Sequence, residues 1–268
     1  MTDTWDDGAT YEPYIGRWSR SVAKSFLRWL GLPNGATWLD FGCGTGALTQ
    51  TILADADPRL VVGCDRSAGY VAFAQAHTSD PRAQFVVAEL PELPRLNEGF
   101  DAAVAGLVLN FLPVPSEGVR AMSARVRPGG TVAAYVWDYA EGMELIRVFW
   151  DAVVAMDGAA RALGESTRFP LCRPEPLAQL FEAGDLGDVA VQSLEVPTVF
   201  QSFDDFWMPF LGGQGPAPGY AKSLSADRRA TLRDSIRRRL RTAPDGTIAL
   251  TARAWAVRGI AAENGAEN

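Results

Sequence analysis

The stretch ATWLDFGCGTGAL, from Ala36 to Leu48, decides how this chain folds. It consists of a short apolar run that ends in an acid, a loop with three alternating glycines, and the start of a helix-forming run. The pattern predicts a strand, a tight loop and a helix start, where backbone N–H groups and a helix N-terminus converge on a polar ligand. Because Asp40 lies beside the loop, a bare phosphate is disfavoured, and we interpret the stretch as a cofactor-binding loop.

Strand-like and helix-like runs alternate downstream of this stretch, which indicates βαβ units and a parallel sheet. Ser67 is the expected N-cap of one helix, and the RPGG sequence from Arg127 to Gly130 is an expected turn. The predicted strands are residues 38–41, 60–65, 84–88, 100–109, 131–137, 189–196 and 247–260. The predicted helices are residues 11–32, 47–54, 67–77, 116–126, 141–156 and 175–183. The fold class is therefore α/β, with a doubly wound, mostly parallel seven-stranded sheet.

The composition is that of a globular protein with a single large core. The chain has 268 residues, of which 47% are hydrophobic and 21% charged. A formal net charge of −7 repels phosphate backbones and anionic membranes, so a small molecule is favoured over nucleic acid as substrate. We expect a monomer or a homodimer.

Cysteine usage and the N-terminus indicate a cytoplasmic protein. The three cysteines share no metal-ligand or disulfide spacing, so no metal site is expected and a reducing compartment is favoured. The N-terminal sequence MTDTWDDGAT lacks the basic and apolar regions of a signal peptide. No apolar run approaches the ~20 residues of a membrane span.

Five motifs in order resemble those of class I S-adenosylmethionine-dependent methyltransferases. They are DFGCGTG, VVGCD, VVAELPELP, FDAAVAGLVLNF and RPGG, and they lie between residues 36 and 137. This set of motifs is similar to that of the small-molecule methyltransferases of ubiquinone and menaquinone biosynthesis. The resemblance implies a Rossmann-like methyltransferase fold, S-adenosylmethionine as cofactor and S-adenosylhomocysteine as product. It also implies in-line SN2 transfer of a methyl group to a small organic acceptor.

The motifs also suggest a role for each residue. The three loop glycines let the main chain approach a ligand closely. A sulfonium ligand that carries an ammonium group is positively charged and is therefore compatible with Asp40 beside the loop. Asp65 ends the second strand, where its carboxylate can accept hydrogen bonds from both ribose hydroxyls. By resemblance, Glu89 receives the adenine amino group and the Leu90 N–H meets a ring nitrogen, although the family more often has aspartate at this position. The predicted cofactor-binding set is Tyr14, Arg17, Asp40, Gly42, Gly44, Gly46, Asp65, Arg66, Glu89 and Leu90.

Related enzymes fold an N-terminal segment over the cofactor, so residues 1–35 are assigned to such a helical segment. Within it, the Arg17 guanidinium can pair with the methionine carboxylate. Residues 36–197 with 245–260 are the expected cofactor-binding core. Residues 198–244 are an expected helical cap inserted before the last strand, and residues 261–268 a disordered tail.

Candidate catalytic residues follow the fourth and fifth strands, because ligands of open α/β sheets collect at the carboxyl ends. Asn110 is expected to orient an acceptor or the methionine group of the cofactor, and Asp138 and Tyr139 to accept a proton or bind substrate. A turn or helix cap is the alternative role for each. The aromatic start of the cap suggests an apolar or aromatic acceptor, whereas the arginine-rich run from residue 226 to 241 predicts an amphipathic helix packed on the cap.

Two other functions remain open at this stage. A module that binds S-adenosylmethionine or its product without transfer would share every cofactor motif, because transfer by proximity needs no obligatory side chain. An NAD-dependent oxidoreductase would use a similar fold, but its loop reads G-x-G-x-x-G, whereas this loop reads G-C-G-T-G.

Overall fold

A single seven-stranded sheet organises the protein, whose residues 16–212 and 215–262 are described by a computed structural model. The strands are β1 (Thr37–Phe41), β2 (Leu60–Asp65), β3 (Ala83–Val87), β4 (Phe100–Gly106), β5 (Val126–Trp137), β6 (Leu186–Phe200) and β7 (Ile248–Ala261). Their order is β3-β2-β1-β4-β5-β7-β6. The pairs β3–β2, β2–β1, β1–β4 and β4–β5 are parallel. The predicted mostly parallel, seven-stranded α/β sheet is confirmed.

Helices connect these strands. They are α1 (Arg17–Leu30), α2 (Ala47–Asp55), α3 (Ala68–Ala76), α4 (Pro115–Ser123), α5 (Glu144–Met156), α6 (Glu165–Arg168), α7 (Pro174–Glu182), α8 (Phe203–Trp207), α9 (Pro216–Ser223) and α10 (Ala226–Arg239). Ser67 caps α3 as predicted, because its hydroxyl accepts from the Tyr70 N–H at 3.3 Å. The start of the predicted helix 11–32 lies outside the described residues.

The strand order reverses at β1, which pairs with β2 on one side and with β4 on the other. All five residues of β1 are buried, as expected for a central strand covered on both faces. In open parallel sheets a ligand crevice forms at the carboxyl ends of the two strands where the order reverses. The glycine loop follows β1 directly and therefore lies at this crevice.

Several strand boundaries differ from the sequence prediction. β6 runs from Leu186 to Phe200, beyond the predicted residues 189–196 at both ends. β4 ends at Gly106, because Leu107 has a left-handed φ of 62° that no regular strand accommodates. The RPGG sequence is not a turn before β5 but a bulge within it. Phe100 pairs with Val126 and Ala102 with Thr131, so four residues of β5 oppose one residue of β4.

The chain divides into two compact units, each described separately. Of the described residues, the first unit holds 19–136, 173–194 and 255–262, and we call it the glycine-loop unit. The second holds 16–18, 137–172 and 195–254 apart from 213 and 214, and we call it the aromatic unit.

Aromatic side chains form the core of the aromatic unit. Phe149 stacks on Phe210 with ring centroids 4.6 Å apart, and Phe206 lies 5.1 Å from Phe200 and 5.6 Å from Phe210. All four phenylalanines are fully buried. These four aromatic side chains therefore act in core packing.

The basic helix α10 packs on the aromatic unit as its pattern predicts. Leu232 and Ile236 are fully buried, Arg233 pairs with Asp204 at 2.9 Å, and the Arg237 guanidinium lies 4.3 Å from the Phe203 ring. No helix within residues 16–212 or 215–262 has the length and apolar character needed to cross a membrane.

A buried carboxyl group joins three segments of the aromatic unit. Glu165 is 2% exposed, and its Oε2 accepts a hydrogen bond from the Trp150 indole N–H. Its Oε1 accepts from the backbone N–H of Ala217 in the first turn of α9, at 3.2 Å. Burial raises the pKa of Glu165 to about 7. Glu165 thus holds α5 and α9 together at an electrostatic cost that grows with pH.

We predict that Glu165 makes the stability of the protein fall as pH rises from 5 to 8. Because its pKa is about 7 in the folded state against 4.5 ordinarily, the contribution is complete below pH 4.5 and is lost as pH rises through 7. The difference between these two pKa values corresponds to about 3 kcal/mol in the free energy of unfolding. Melting temperatures of wild type and Glu165→Gln should converge or cross as pH rises, since glutamine does not titrate. Glu182→Gln, an exposed change, should leave the pH dependence as in wild type, and parallel curves for Glu165→Gln and wild type would contradict the assignment.

Candidate functional site

Three glycines with left-handed backbone angles shape the loop after β1. Gly42, Gly44 and Gly46 have φ values of 70°, 53° and 89°. The N–H groups of Gly42 and Cys43 both donate to the Cys64 carbonyl, at 2.8 and 3.0 Å, which ties the loop to β2. A Cβ on Gly42 would lie 2.6 Å from Val108 Cγ2, so only glycine fits against the segment that follows β4.

Gly44 is the point at which the loop is open to a ligand. Within the described part of the chain, no heavy atom lies within 4 Å of the position that a Cβ on Gly44 would take. Its N–H donates to Asp65 Oδ2 at 3.0 Å, which fixes the orientation of the peptide. The loop thus presents bare, ordered main chain to open space, as the sequence predicts for a ligand cradle.

Asp40, at the end of β1, is a buried acid with one unsatisfied oxygen. It is 1% exposed, and its Oδ2 accepts from the Thr49 hydroxyl at 2.6 Å. Its Oδ1 is also buried and has no hydrogen-bond partner among the described residues. Burial raises the pKa of Asp40 to about 7, although the hydrogen bond from Thr49 lowers it. A cationic ligand that stabilised the ionised carboxylate would relieve this cost.

Asp65 connects the ends of three segments. Its Oδ2 accepts from Gly44, and its Oδ1 accepts from the Ser67 N–H at 2.8 Å. Its backbone carbonyl accepts from Ala88 at 3.0 Å, which places the end of β3 beside it. The side chain is half-buried and retains lone pairs for further donors.

The remaining predicted cofactor residues of this unit lie at its surface. Arg66 and Glu89 are exposed, and Leu90 is half-buried. The adenine-binding role of Glu89 and Leu90 stays a prediction.

The segment after β4 combines backbone strain with an unsatisfied polar group. Leu107 has its φ of 62°, and Asn110 Nδ2 is buried without a hydrogen-bond partner in the described chain. Such strain concentrates at functional sites, and a buried amide without a partner indicates a missing ligand contact. Because Val108 of this segment approaches Gly42, Asn110 belongs to the surroundings of the glycine loop.

Asp138 is held by four donors in the aromatic unit. Its Oδ1 accepts from the N–H groups of Ala140 and Glu141, both at 3.1 Å. Its Oδ2 accepts from Arg253 Nε at 2.7 Å and pairs with Nη2 at 2.6 Å. These contacts match the alternative role of Asp138 as a turn cap. To accept a proton from a substrate, Asp138 would have to give up one of these hydrogen bonds, and this role stays a prediction.

Tyr139 and Arg17 also belong to the aromatic unit. Tyr139 is buried, with its ring 5.6 Å from that of Phe169. Arg17 Nη1 donates to Asp205 Oδ1 at 2.8 Å. Binding of the cofactor carboxylate by Arg17 stays a prediction. Tyr14 lies outside the described residues.

Sequence analysis missed three residues that hold candidate residues in place. Thr49 holds Asp40, Val108 makes Gly42 necessary, and Arg253 pairs with Asp138. The only local signal among them is Thr49, a polar residue on the buried face of the helix that follows the glycine loop.

The residues around the glycine loop fit S-adenosylmethionine on structural grounds. The unsatisfied Asp40 oxygen suits a ligand with positive charge, Gly44 admits close approach, and Asp65 can accept from sugar hydroxyls. Two acids at this site disfavour a phosphate-rich ligand. The part of the chain that the structure describes contains no group of three or more His, Cys, Asp or Glu side chains suited to a metal ion.

Comparison with protein families and curated proteins gives matches to methyltransferases. Residues 39–130 match the family described as a methyltransferase domain. A malonyl-[acyl-carrier protein] O-methyltransferase of Hahella chejuensis is 29% identical over 124 residues, which are 46% of this chain and 43% of that protein. A 2-methyl-6-phytyl-1,4-hydroquinone methyltransferase of Synechocystis is 26% identical over 237 residues, 80% of this chain and 73% of that protein. The chain thus spans less than half the length of the Hahella protein.

Comparison with solved structures shows the same fold. Phosphoethanolamine N-methyltransferase 2 of Haemonchus contortus, solved with S-adenosylhomocysteine, superimposes with a TM-score of 0.55 at 15% identity. The superposition covers 91% of this chain and 53% of that one. These matches show that residues 39–130 are similar to a methyltransferase domain and that the seven-stranded sheet has the fold of a solved methyltransferase.

Proposed function

We propose that the protein is an S-adenosylmethionine-dependent methyltransferase that acts on a small organic acceptor. The observation that carries the proposal is the pairing of an open left-handed glycine, Gly44, with Asp40, a buried acid that has one unsatisfied oxygen. The first feature admits a ligand to the main chain, and the second favours a ligand with an ammonium group.

The chain contributes binding and orientation to the reaction. When bound, S-adenosylmethionine supplies a methyl group already activated on a sulfonium. Asp40, fixed by Thr49, balances positive charge, and the loop N–H groups, oriented by Cys64 and Asp65, keep the main chain rigid. Asn110 offers an amide N–H to orient a ligand. Holding two reactants in line and excluding water supplies most of the acceleration such a transfer needs.

The methyl acceptor is proposed as a class of compound rather than as a single molecule. The relatives named above act on a malonyl group of an acyl-carrier protein and on a phytyl hydroquinone, which supports acceptors with apolar or acidic organic groups. A net charge of −7 supports a small molecule over nucleic acid. We further propose a cytoplasmic monomer or homodimer.

A binding module without transferase activity is the second candidate. It is favoured by the four donors on Asp138, which leave this acid without a free oxygen for proton transfer. Methyl transfer by proximity requires no such base, so only a transfer experiment separates the two functions.

We predict that Gly44→Ala abolishes tight cofactor binding. The new methyl group would enter the space that the loop leaves open, so the Kd for S-adenosylhomocysteine measured by calorimetry should rise at least about tenfold. Gly35→Ala is the matched control, because Gly35 is also left-handed, at φ 79°, with no described atom within 4 Å. Both variants should lose about 1 kcal/mol of stability from backbone strain, whereas only Gly44→Ala should lose affinity. Tight binding of NAD to wild type, with no response to S-adenosylhomocysteine, would refute the cofactor assignment.

We predict that cofactor affinity falls as pH decreases below about 7, because the buried Asp40 carboxyl takes up a proton there. The Kd for S-adenosylhomocysteine should rise by up to about tenfold for each unit that the pH falls between 7 and 5.5. Asp40→Asn should bind weakly and without this dependence. Thr49→Val removes the hydrogen bond that lowers the pKa of Asp40, so its midpoint should move to higher pH. An unchanged midpoint in Thr49→Val would assign the titration to another group.

We predict methyl transfer to at least one small metabolite. Wild type incubated with methyl-labelled S-adenosylmethionine and a small-metabolite extract should give a labelled organic product, and Gly44→Ala should not. Cofactor binding without product in any extract would favour the binding module.

A further inference from the structure

Three side chains of the aromatic unit, those of Arg17, Trp137 and Thr198, carry buried polar atoms without a hydrogen-bond partner among the described residues. Arg17 Nε and Nη2 and Thr198 Oγ1 are buried and have no hydrogen-bond partner among the described residues. Buried donors are nearly always satisfied, because leaving one unpaired forfeits its hydration. Phe200 links two of them, because its ring contacts the Arg17 guanidinium and it shares a strand with Thr198, and together Arg17 and Thr198 indicate a polar ligand.

The Arg17 guanidinium is fixed in orientation by three contacts. Nη1 donates to Asp205 at 2.8 Å, and the guanidinium carbon lies 4.5 Å from the Trp18 ring centre and 4.7 Å from that of Phe200. These two rings meet edge to face at 5.1 Å. The edge left over is Nε with Nη2, whose two parallel N–H bonds match the two oxygens of a carboxylate.

Thr198 lies on the same face of β6 as Phe200. Residues 194, 196, 198 and 200 are buried while those between them are exposed, so the buried side chains share one face of the strand. Thr198 is only 1% exposed, yet its hydroxyl has no partner among residues 16–212 and 215–262. A hydroxyl donor therefore lies two residues along the strand from the ring that contacts Arg17.

We propose that the Nε–Nη2 edge of Arg17, with the Thr198 hydroxyl, binds a carboxylate of the methyl acceptor, which would make the acceptor an organic acid with an apolar or aromatic body. A singly charged carboxylate fits better than a phosphate, because Asp205 already neutralises the Arg17 charge in part. We infer the apolar body of the acceptor from the rings of Trp18 and Phe200, which lie beside the guanidinium. The proposal rests on the proposed transferase function.

This inference changes the role that the sequence suggested for Arg17. The sequence pattern favours the methionine carboxylate of the cofactor as its partner. Among the described residues, however, the Arg17 side chain contacts Trp18, Phe200 and Asp205. The unsatisfied Thr198 hydroxyl lies on the same strand as Phe200. On these contacts we assign Arg17 to the acceptor as a specificity-determining residue.

The test follows the Arg17 Nε–H resonance by NMR in the full chain saturated with S-adenosylhomocysteine. The resonance is assigned by its loss in Arg17→Lys, which keeps the charge but not the paired donors. Acetate is the probe, and acetamide and chloride are the controls. Acetate should shift the resonance saturably, whereas acetamide and chloride should not. Arg28→Lys, an exposed change on the same helix, should leave the acetate affinity unchanged.

Thr198 variants separate ligand binding from a structural role. Thr198→Val should weaken acetate binding about fivefold or more while leaving the melting temperature equal or higher, because it removes an unsatisfied buried hydroxyl. Thr198→Ser keeps the hydroxyl and should bind as wild type. Should the valine variant fail to fold, Thr198→Ala provides the same comparison.

Three results would overturn the proposal. They are no shift with acetate, equal shifts with acetate and acetamide, or a resonance shifted by S-adenosylhomocysteine alone that then no longer responds to acetate. The last would return Arg17 to the cofactor carboxylate. Absence of S-adenosylhomocysteine binding in wild type would instead refute the transferase proposal, and acetate titration of the unloaded chain would still test the Arg17 edge.

Discussion

The turn after β1 is the constraint on which the rest of the site depends. It reverses the chain using three left-handed glycines, and two of its N–H groups converge on the Cys64 carbonyl at the end of β2. Gly42 has no room for a Cβ because Val108, after β4, lies against it. The turn is therefore held by the neighbouring strand on each side of β1. This coupling keeps the Gly44 peptide ordered beside open space without any contact from a ligand.

Hydrogen-bond satisfaction distinguishes the buried acids whose two oxygens the fold satisfies from Asp40, which has one oxygen without a partner among the described residues. Glu165 and Asp138 are both buried, but both oxygens of each accept from donors within the protein. Asp40 has the same burial and an unsatisfied oxygen. Each of these acids loses hydration on burial, so the difference lies in whether the fold itself supplies hydrogen bonds to both oxygens. By the same criterion Arg17 and Thr198 belong with Asp40 rather than with Asp138.

The parts of the fold that could be predicted are those specified by local physics. Continuous apolar runs predicted the buried parallel strands, and Ser67 was identified as a cap from its position before a helix. The glycine loop was identified because alternating glycines permit positive φ at each position. The end of β4 was placed too late, because the apolar run continues past Gly106 while the backbone turns at Leu107. The RPGG sequence was placed outside β5, because a bulge depends on the register of the partner strand.

The sequence by itself determined the class of fold, the position of the glycine loop and the family resemblance, since these depend on residues close together along the chain. Only the tertiary structure decided which polar groups are satisfied. Arg253, which pairs with Asp138, lies 115 residues from it, and Asp205, which pairs with Arg17, lies 188 residues from it; no local pattern encodes such pairs. Whether a buried oxygen or guanidinium edge retains a free donor or acceptor depends on these distant partners. The physical reason is that the energy of a buried polar group is set by its complete surroundings, which exist only once the chain has folded.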